Sequence, residues 1–308
     1  MKIGAYECLT PFVTAGSGSA CWCVAEKDGQ RWFIKQFLSP VRPQTDDGTP
    51  LYRRRVARCE AFEEGKRRLY AALACVLGES LVPVSDFFLE QGHYYSVSEY
   101  IADPALCFEN ARDLQPHTTR ELLHELALCL LRLHAQGVVH ADLRPDHALM
   151  QLEGRRYRVR LIDFDSGFLE EEPPDSDAIQ GDPVYLAPEA YLRMTGQSAA
   201  LTRKIDVFAF GAIIHRLWTG ALPRMDERYA YLYEAALDGG DIRLSPALPT
   251  AYRWLVKRML SADPAARPDD AEIERMLAPL REDAPDAPAS PFSAMSPRWK
   301  SERERLGL

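Results

Sequence analysis

The chain has 308 residues, 46% hydrophobic and 27% charged, with a formal net charge of -8. That length can bury one large core or two lobes in contact, and the acidic balance argues against a nucleic-acid partner. Seven cysteines, odd in number and without a C-x-x-C pair, are expected as reduced, mostly buried thiols rather than a metal or disulfide framework. The N-terminus lacks a long apolar h-region, and the apolar stretch Leu122 to Leu133 is interrupted by His124, Glu125 and Arg132. No membrane segment is therefore expected, and the expected location is cytoplasmic. The basic run Arg53-Arg54-Arg55 with Arg58 is followed by Glu60, Glu63 and Glu64, which reads as the solvated face of a helix.

In chain order, strands are predicted over Leu9 to Thr14 and Ala20 to Glu26, flanking a Gly/Ser turn. Arg31 to Phe37 follows the hairpin signal Asp28-Gly29. Ser39 to Pro50 reads as a loop, and Leu51 to Leu77 carries apolar residues at helical spacing. Val84 to Leu89 and Tyr94 to Ile101 return to strand character. Helices are predicted over Arg120 to His134, Arg203 to Thr219, Ala251 to Leu260 and Asp270 to Leu280, with a Pro/Ser-rich, charged tail from about Arg281.

Several segments carry chemistry. The turn at 15–20 holds Gly16 and Gly18, and glycine removes the Cβ that would keep backbone N–H groups from a phosphate. Read alone, it is a Gly/Ser hairpin. Lys35 lies on the apolar strand Trp32-Phe33-Ile34-Lys35, as an edge lysine facing water or as a grip on an anion. Val139-His140-Ala141-Asp142-Leu143-Arg144-Pro145-Asp146-His147 and Leu161-Ile162-Asp163-Phe164-Asp165 each open an acidic loop after an apolar run. Phosphoryl transfer requires such a pair, one carboxylate for the acceptor hydroxyl and one for a nucleotide-bound metal.

Together these segments, over about residues 9 to 280, resemble the Hanks-type (eukaryotic-like) serine/threonine protein kinases. The resemblance implies an α+β, bilobal protein-kinase-like fold. Residues 1–101 would form a small β-rich N-lobe with one long helix, 102–280 a larger helical C-lobe, and 281–308 a flexible tail. It also implies ATP with Mg2+ or Mn2+ as cofactors, and a protein substrate or partner. Gly16 and Gly18 resemble the start of G-x-G-x-x-G, and Trp22 stands where the family places valine over the adenine. Lys35 is similar to the phosphate-gripping lysine of V-A-I-K, whose glutamate partner would be Glu60, Glu63 or Glu64. Glu63 is nearest the apolar face of Cys59, Phe62, Lys66 and Tyr70 and is the one chosen. Ser96 to Ile101 resembles the strand entering the hinge, with Ser98 as gatekeeper and the backbones of Glu99 and Ile101 facing the adenine.

By the same resemblance Asp142 accepts the hydroxyl proton and Asp163 binds the metal. Gly181-Asp182-Pro183-Val184-Tyr185-Leu186-Ala187-Pro188-Glu189 resembles the end of an activation loop, and Asp206-Val207-Phe208-Ala209-Phe210-Gly211 a helix whose aspartate bonds the catalytic loop. Arg267, in Asp263-Pro264-Ala265-Ala266-Arg267-Pro268, would pair with Glu189.

The chain departs from the pattern at defined positions. The second metal ligand, asparagine in the family, is His147, either a ligand or turned away. The loop lysine, which in the family steadies the transferring phosphoryl group, is Arg144, the arginine before Asp142 is Ala141, and the glycine of D-F-G is Asp165, a further carboxylate near the metal. Glu170-Glu171-Glu172 and Asp182 stand where phosphothreonine chemistry is expected, with Ser166, Ser176 and Tyr185 as potential acceptors. Two main readings follow: an active Ser/Thr kinase, favoured by the retention of Lys35, Asp142 and Asp163, or a pseudokinase that binds nucleotide or serves as a scaffold. A small-molecule kinase is a third, although Ala187-Pro188-Glu189 and the helices after it resemble the protein-kinase version.

Overall fold

A computed structural model describes residues 1–14, 20–76, 78–101, 106–108, 114–153 and 156–278. Gly16, Gly18 and the expected tail at 281–308 lie outside the described residues. The chain divides into two compact units. One comprises the described residues of Met1–Cys75 and Val82–Asp103, the other Val76–Leu81 and the described residues from 106 onward.

The first unit is built on a six-stranded antiparallel sheet. Its strands are β1 (Lys2–Ile3), β2 (Tyr6–Cys8), β3 (Ala20–Lys27), β4 (Gln30–Phe37), β5 (Val84–Glu90) and β6 (His93–Glu99), in the order β1-β2-β3-β4-β6-β5. Asp28 and Gly29 close the β3–β4 hairpin with φ of 54° and 77°, the two positive values that a type I′ turn needs. The strand predicted over Leu9 to Thr14 does not form. Pro11 has no N–H for a ladder, and Leu9 and Thr10 both donate their N–H to Val24 O (2.8 and 3.2 Å), so pairing lapses after β2. Only Val13 rejoins, as an isolated bridge to Trp22.

Side chains alternate across this sheet. One face buries Cys23, Ala25, Ile34, Tyr95 and Val97 under Ile3 and Tyr6. The other carries Phe33, Lys35 and Phe37 of β4, and Phe37 packs edge-on to Phe62 at 5.2 Å. Phe62 belongs to helix α1 (Pro50–Ala74), which begins where the Thr49 side chain accepts from Tyr52 N at 3.1 Å. Tyr94, Phe87 and Tyr70 complete this aromatic layer. Burying each such ring contributes about 1.5–3 kcal/mol, which offsets the polar composition of α1.

The second unit is mainly helical: α2 (Pro116–Ala135), α3 (Pro188–Met194), α4 (Lys204–Thr219), α5 (Leu232–Leu237), α6 (Thr250–Met259) and α7 (Asp270–Leu277). Pro116 occupies the first turn of α2, where its missing N–H costs nothing, so the helix starts earlier than the predicted Arg120. Every residue of α4 from Ile205 to His215 is buried, as expected of a helix apolar on most sides. A Cβ on Gly211 would stand 2.8 Å from Met259 Cβ, so the approach of α4 to α6 depends on that glycine.

The short strands of this unit are β7 (Leu106–Cys107), β8 (Val138–Val139), β9 (Ala148–Glu153), β10 (Arg156–Leu161) and β11 (Phe168–Leu169). They form a three-stranded sheet β10-β9-β7 and a two-stranded ribbon β11-β8. Among the described residues Cys21, Cys23, Cys59 and Cys129 are buried free thiols, Cys8 is half-buried and Cys75 exposed. Among the described residues, no helix is long and apolar enough to cross a membrane.

Candidate active site

Two pairings bring the acidic loops of the second unit together. The β9–β10 hairpin pairs Ala148 with Leu161, so the loop entering β9 and the loop leaving β10 share one end of the hairpin. Ile162 N donates to His147 O at 3.0 Å and continues the contact. The β8–β11 ribbon pairs Val139 with Phe168, tying the start of the first loop to the end of the second. Residues 140–147 and 162–167 are thus fixed from both sides.

His147 joins their carboxylates. It is buried, and its Nδ1 is 2.8 Å from the Asp142 backbone oxygen. A carbonyl can only accept, so Nδ1 carries the hydrogen. In the neutral ring, Nε2 then keeps its lone pair, and it stands 3.6 Å from Asp163 Oδ2. That gap is too long for a hydrogen bond, but two donors each about 2.1 Å from one cation can span it. A borderline nitrogen beside a hard oxygen suits manganese, and serves magnesium less well. No cluster of three or more His, Cys, Asp or Glu suited to a metal occurs among the described residues. Waters and phosphate oxygens would complete the shell, as magnesium and manganese sites permit. Asp165 lies two residues beyond Asp163 and is half-buried.

Asp142 is held by the activation-loop segment as well. Its Oδ1 accepts the Asp182 N–H at 3.0 Å, and the Asp182 carboxylate lies 3.3 Å from Arg144 Nη1. Arg144 also grips Asp146 through Nε and Nη2 at 2.6 and 2.7 Å. The guanidinium expected to steady a phosphoryl group therefore braces two carboxylates of the loop. Tyr185, a potential phosphoacceptor by sequence, is buried and receives a hydrogen bond from Arg216 at 2.6 Å.

Asp206 on α4 anchors the loop from below, accepting from His140 N at 2.7 Å and Ala141 N at 2.9 Å. Ala141 and Asp163 have φ of 65° and 66°, values that cost non-glycine residues about 1–3 kcal/mol each. The Asp206 hydrogen bonds offset that cost at Ala141. His134 of α2 is fully buried between Asp206 (3.0 Å from Nε2) and Asp270 (2.9 Å from Nδ1). Burial alone would lower its pKa, but the two carboxylates prevail and lift it to about 9. His140 shows the opposite balance: burial holds its pKa down, and its Nε2 lies 3.1 Å from Ile162 O. The expected pair of Arg267 and Glu189 is present and bidentate, at 2.6 and 2.7 Å.

In the first unit Lys35 is half-buried on β4, in register with Trp22 on β3 and Ser96 on β6. Trp22 stacks on Phe33 at 5.2 Å. Glu99 ends β6 opposite Trp32, and Ile101 follows, half-buried. Glu63 is engaged by Arg67 at 3.0 Å, by Tyr94 OH at 3.3 Å and by Arg42 at 3.7 Å. Glu60 faces Arg42 at 3.5 Å, and Glu64 is exposed.

The model of the protein kinase domain family matches residues 51–277. The chain belongs to the protein kinase domain family. CBL-interacting protein kinase 16 of Oryza sativa subsp. japonica is 28% identical over 252 residues, covering 80% of this chain and 53% of that protein. Serine/threonine-protein kinase pkn2 of Myxococcus xanthus is 27% identical over 210 residues, covering 65% and 25% respectively. Serine/threonine/tyrosine-protein kinase HT1 of Arabidopsis thaliana is 29% identical over 192 residues, covering 60% and 46%. The chain spans about half or less of the length of these curated relatives. Within this kinase domain, sequence reasoning missed Arg144 as a brace, the Asp182 N–H on Asp142, and the buried His134. The acid at position 182, which pairs with Arg144, was a signal for the first; nothing local marks the other two.

Proposed function

We propose that this kinase domain uses ATP, with Mg2+ or Mn2+, to phosphorylate Ser/Thr hydroxyls of a protein substrate. Residues 1–101 and 102–280 serve as its N- and C-lobes, and it acts in the cytoplasm. The supporting observation is the His147 bridge, which sets Asp142 and Asp163 on opposite sides of one imidazole (3.7 and 3.6 Å between side-chain atoms). Asp142 orients the acceptor hydroxyl and takes its proton. The hydroxyl oxygen forms a bond to the γ-phosphorus, the bond from that phosphorus to the β–γ bridging oxygen breaks, and ADP leaves. Arg144 keeps Asp142 and Asp182 in register and adds positive charge beside the transferring group. Asp163 would hold the metal, with His147 or Asp165 as a second contact from the protein, and the metal would neutralise charge on the nucleotide phosphates. Lys35 grips the phosphates and Trp22 covers the adenine, whose edge meets the backbones of Glu99 and Ile101. Gly16 and Gly18 approach the phosphates, and Glu63 orders the helix beside them.

The test is transfer of labelled γ-phosphate to a generic protein acceptor, with magnesium and with manganese, for the native protein and Asp142→Ala. Transfer lost in the variant supports the reading. Nucleotide binding without transfer, or no binding at all, moves the chain to the pseudokinase reading.

A further inference from the structure

Cys129 Sγ lies 3.1 Å from Val159 O, Cys75 Sγ 3.4 Å from Ala71 O and Cys21 Sγ 3.7 Å from Gln36 Oε1, so each of these thiols donates to an oxygen. Cys23 is different. Its thiol points at another sulfur, Cys8 Sγ, at 3.8 Å. The two residues come from neighbouring strands of the six-stranded sheet: Cys8 ends β2 in register with Ala25 of β3, two residues beyond Cys23. Successive residues of a strand alternate faces, so Cys23 and Ala25 share the face on which Cys8 packs.

A disulfide holds its sulfurs about 2.05 Å apart, so this pair has to close by about 1.8 Å. The surroundings favour closure from the Cys8 end. Ladder pairing lapses directly after Cys8, where Leu9 N and Thr10 N share Val24 O, so the backbone there is less constrained than at Cys23. Exposure differs in the same sense, since Cys23 is 0% exposed and Cys8 is half-buried. Burial, and after it the neighbouring Cys8, push the Cys23 thiol pKa up. Cys23 therefore stays protonated and shielded, and Cys8 is the sulfur that meets an oxidant from solvent. The residues between the pair, 9–22, contain Gly16 and Gly18. A bond from Cys8 to Cys23 would close that Gly/Ser turn into a covalent loop, and reduction would release it.

We propose that Cys8 and Cys23 form an oxidation site, a dithiol that peroxide converts reversibly into an intramolecular disulfide. Cys8 Sγ attacks one peroxide oxygen, the O–O bond breaks, and Cys8 becomes a sulfenic acid as the first water leaves. Cys23 Sγ then attacks the Cys8 sulfur, the S–O bond breaks, and the hydroxyl departs with the Cys23 proton as the second water. Two thiols are oxidised and one peroxide is reduced. This chemistry does not require nucleotide binding.

The test treats dilute native protein with hydrogen peroxide, blocks the remaining thiols, and cleaves after Phe12 and Trp22, which separates Cys8, Cys21 and Cys23 into different fragments. Mass spectrometry should find the Cys8 fragment joined to the Cys23 fragment in protein that remains monomeric, and dithiothreitol should restore both thiols. Cys21→Ser should keep the link, whereas Cys8→Ser should lose it and leave Cys23 unoxidised. Any of three results overturns the inference: both thiols still reduced, Cys8 carried on to sulfinic or sulfonic acid while Cys23 stays free, or a bond to Cys21 or between molecules. The decisive mapping uses native protein, so it holds whether or not the variants fold.

Discussion

His147 Nε2 faces Asp163 Oδ2 across 3.6 Å, while the Asp142 carbonyl fixes the ring hydrogen on Nδ1 at 2.8 Å. The imidazole is thus oriented as a nitrogen donor beside an oxygen donor, the arrangement in which an outer hydrogen bond sets the tautomer of a metal-binding histidine. Manganese should support nucleotide binding and turnover better than magnesium, and His147→Asn should shift the preference toward magnesium. Asp163→Ala should abolish turnover with either metal. Steady-state rates and calorimetry with both metals check this, and equal use of the two metals by native protein and His147→Asn would remove His147 from the site.

The roles of the two carboxylates should separate in the same assays. Asp142→Ala should slow transfer by about 10²–10⁴-fold, the usual contribution of a positioned general base. It should leave ATP affinity within a small factor, since the proposed role of Asp142 is toward the acceptor. Parallel loss of binding and turnover would assign Asp142 to nucleotide binding instead.

Loop phosphorylation should not be required for activity. Asp182 already forms an ion pair with Arg144 at 3.3 Å, and Glu170 is paired with Arg203 through Nε at 2.9 Å. Carboxylates thus occupy the bracing positions that a phosphate would otherwise supply. Replacing Ser166 and Ser176 by alanine should leave kcat/KM within about twofold, whereas Asp182→Ala should lower it by loosening Arg144. A collapse of rate in the serine variants would identify a phosphorylation switch.

The sequence made the motif-bearing loops legible because they are short, local and tied to particular residue types. The type I′ turn at Asp28-Gly29 needed no knowledge of the rest of the chain, whereas the Arg267–Glu189 pair joins distant segments and followed from the family resemblance. What escaped was set by tertiary partners. The strand expected over Leu9 to Thr14 failed because two N–H groups share the Val24 carbonyl, a matter of register rather than propensity. Arg144 reads as a phosphate contact in sequence, but Asp146 and Asp182 surround it in space. Periodicity grouped Lys66 with the apolar residues of α1, which is where it packs, yet only its contacts reveal that a cation is buried there.

Breaking the Arg267–Glu189 pair should be costly. Both side chains are almost fully buried, at 0% and 5% exposure, and Arg267 also donates to Lys204 O at 2.7 Å and Ser261 O at 2.9 Å. Removing one partner leaves an uncompensated buried charge, at about 3–5 kcal/mol. Glu189→Ala and Arg267→Ala should each lower the unfolding midpoint strongly, and the double variant should cost less than the sum of the two. Additive losses in a double-mutant cycle would mean that the pair is not coupled.

Stability should also carry the signature of His134. The imidazole sits between Asp206 of α4 and Asp270 of α7, with the Arg203-paired Glu170 adding a further negative charge nearby. Burial opposes its charge, but the carboxylates raise its pKa from 6.5 to about 9. A folded-state pKa above the unfolded value means that the folded protein binds the proton more tightly. The stabilisation is therefore complete below about pH 6.5 and is lost as the pH rises through about 9. His134→Gln keeps an amide near the carboxylates without a charge, so it should be less stable than the native protein at pH 6, with the difference shrinking toward pH 10. Urea midpoints across that range test this, and parallel pH profiles for the two proteins would show that His134 is not charged in the fold. Because Asp206 also holds His140 N and Ala141 N, the rate of phosphate transfer should fall over the same window in the native protein and less so in His134→Gln.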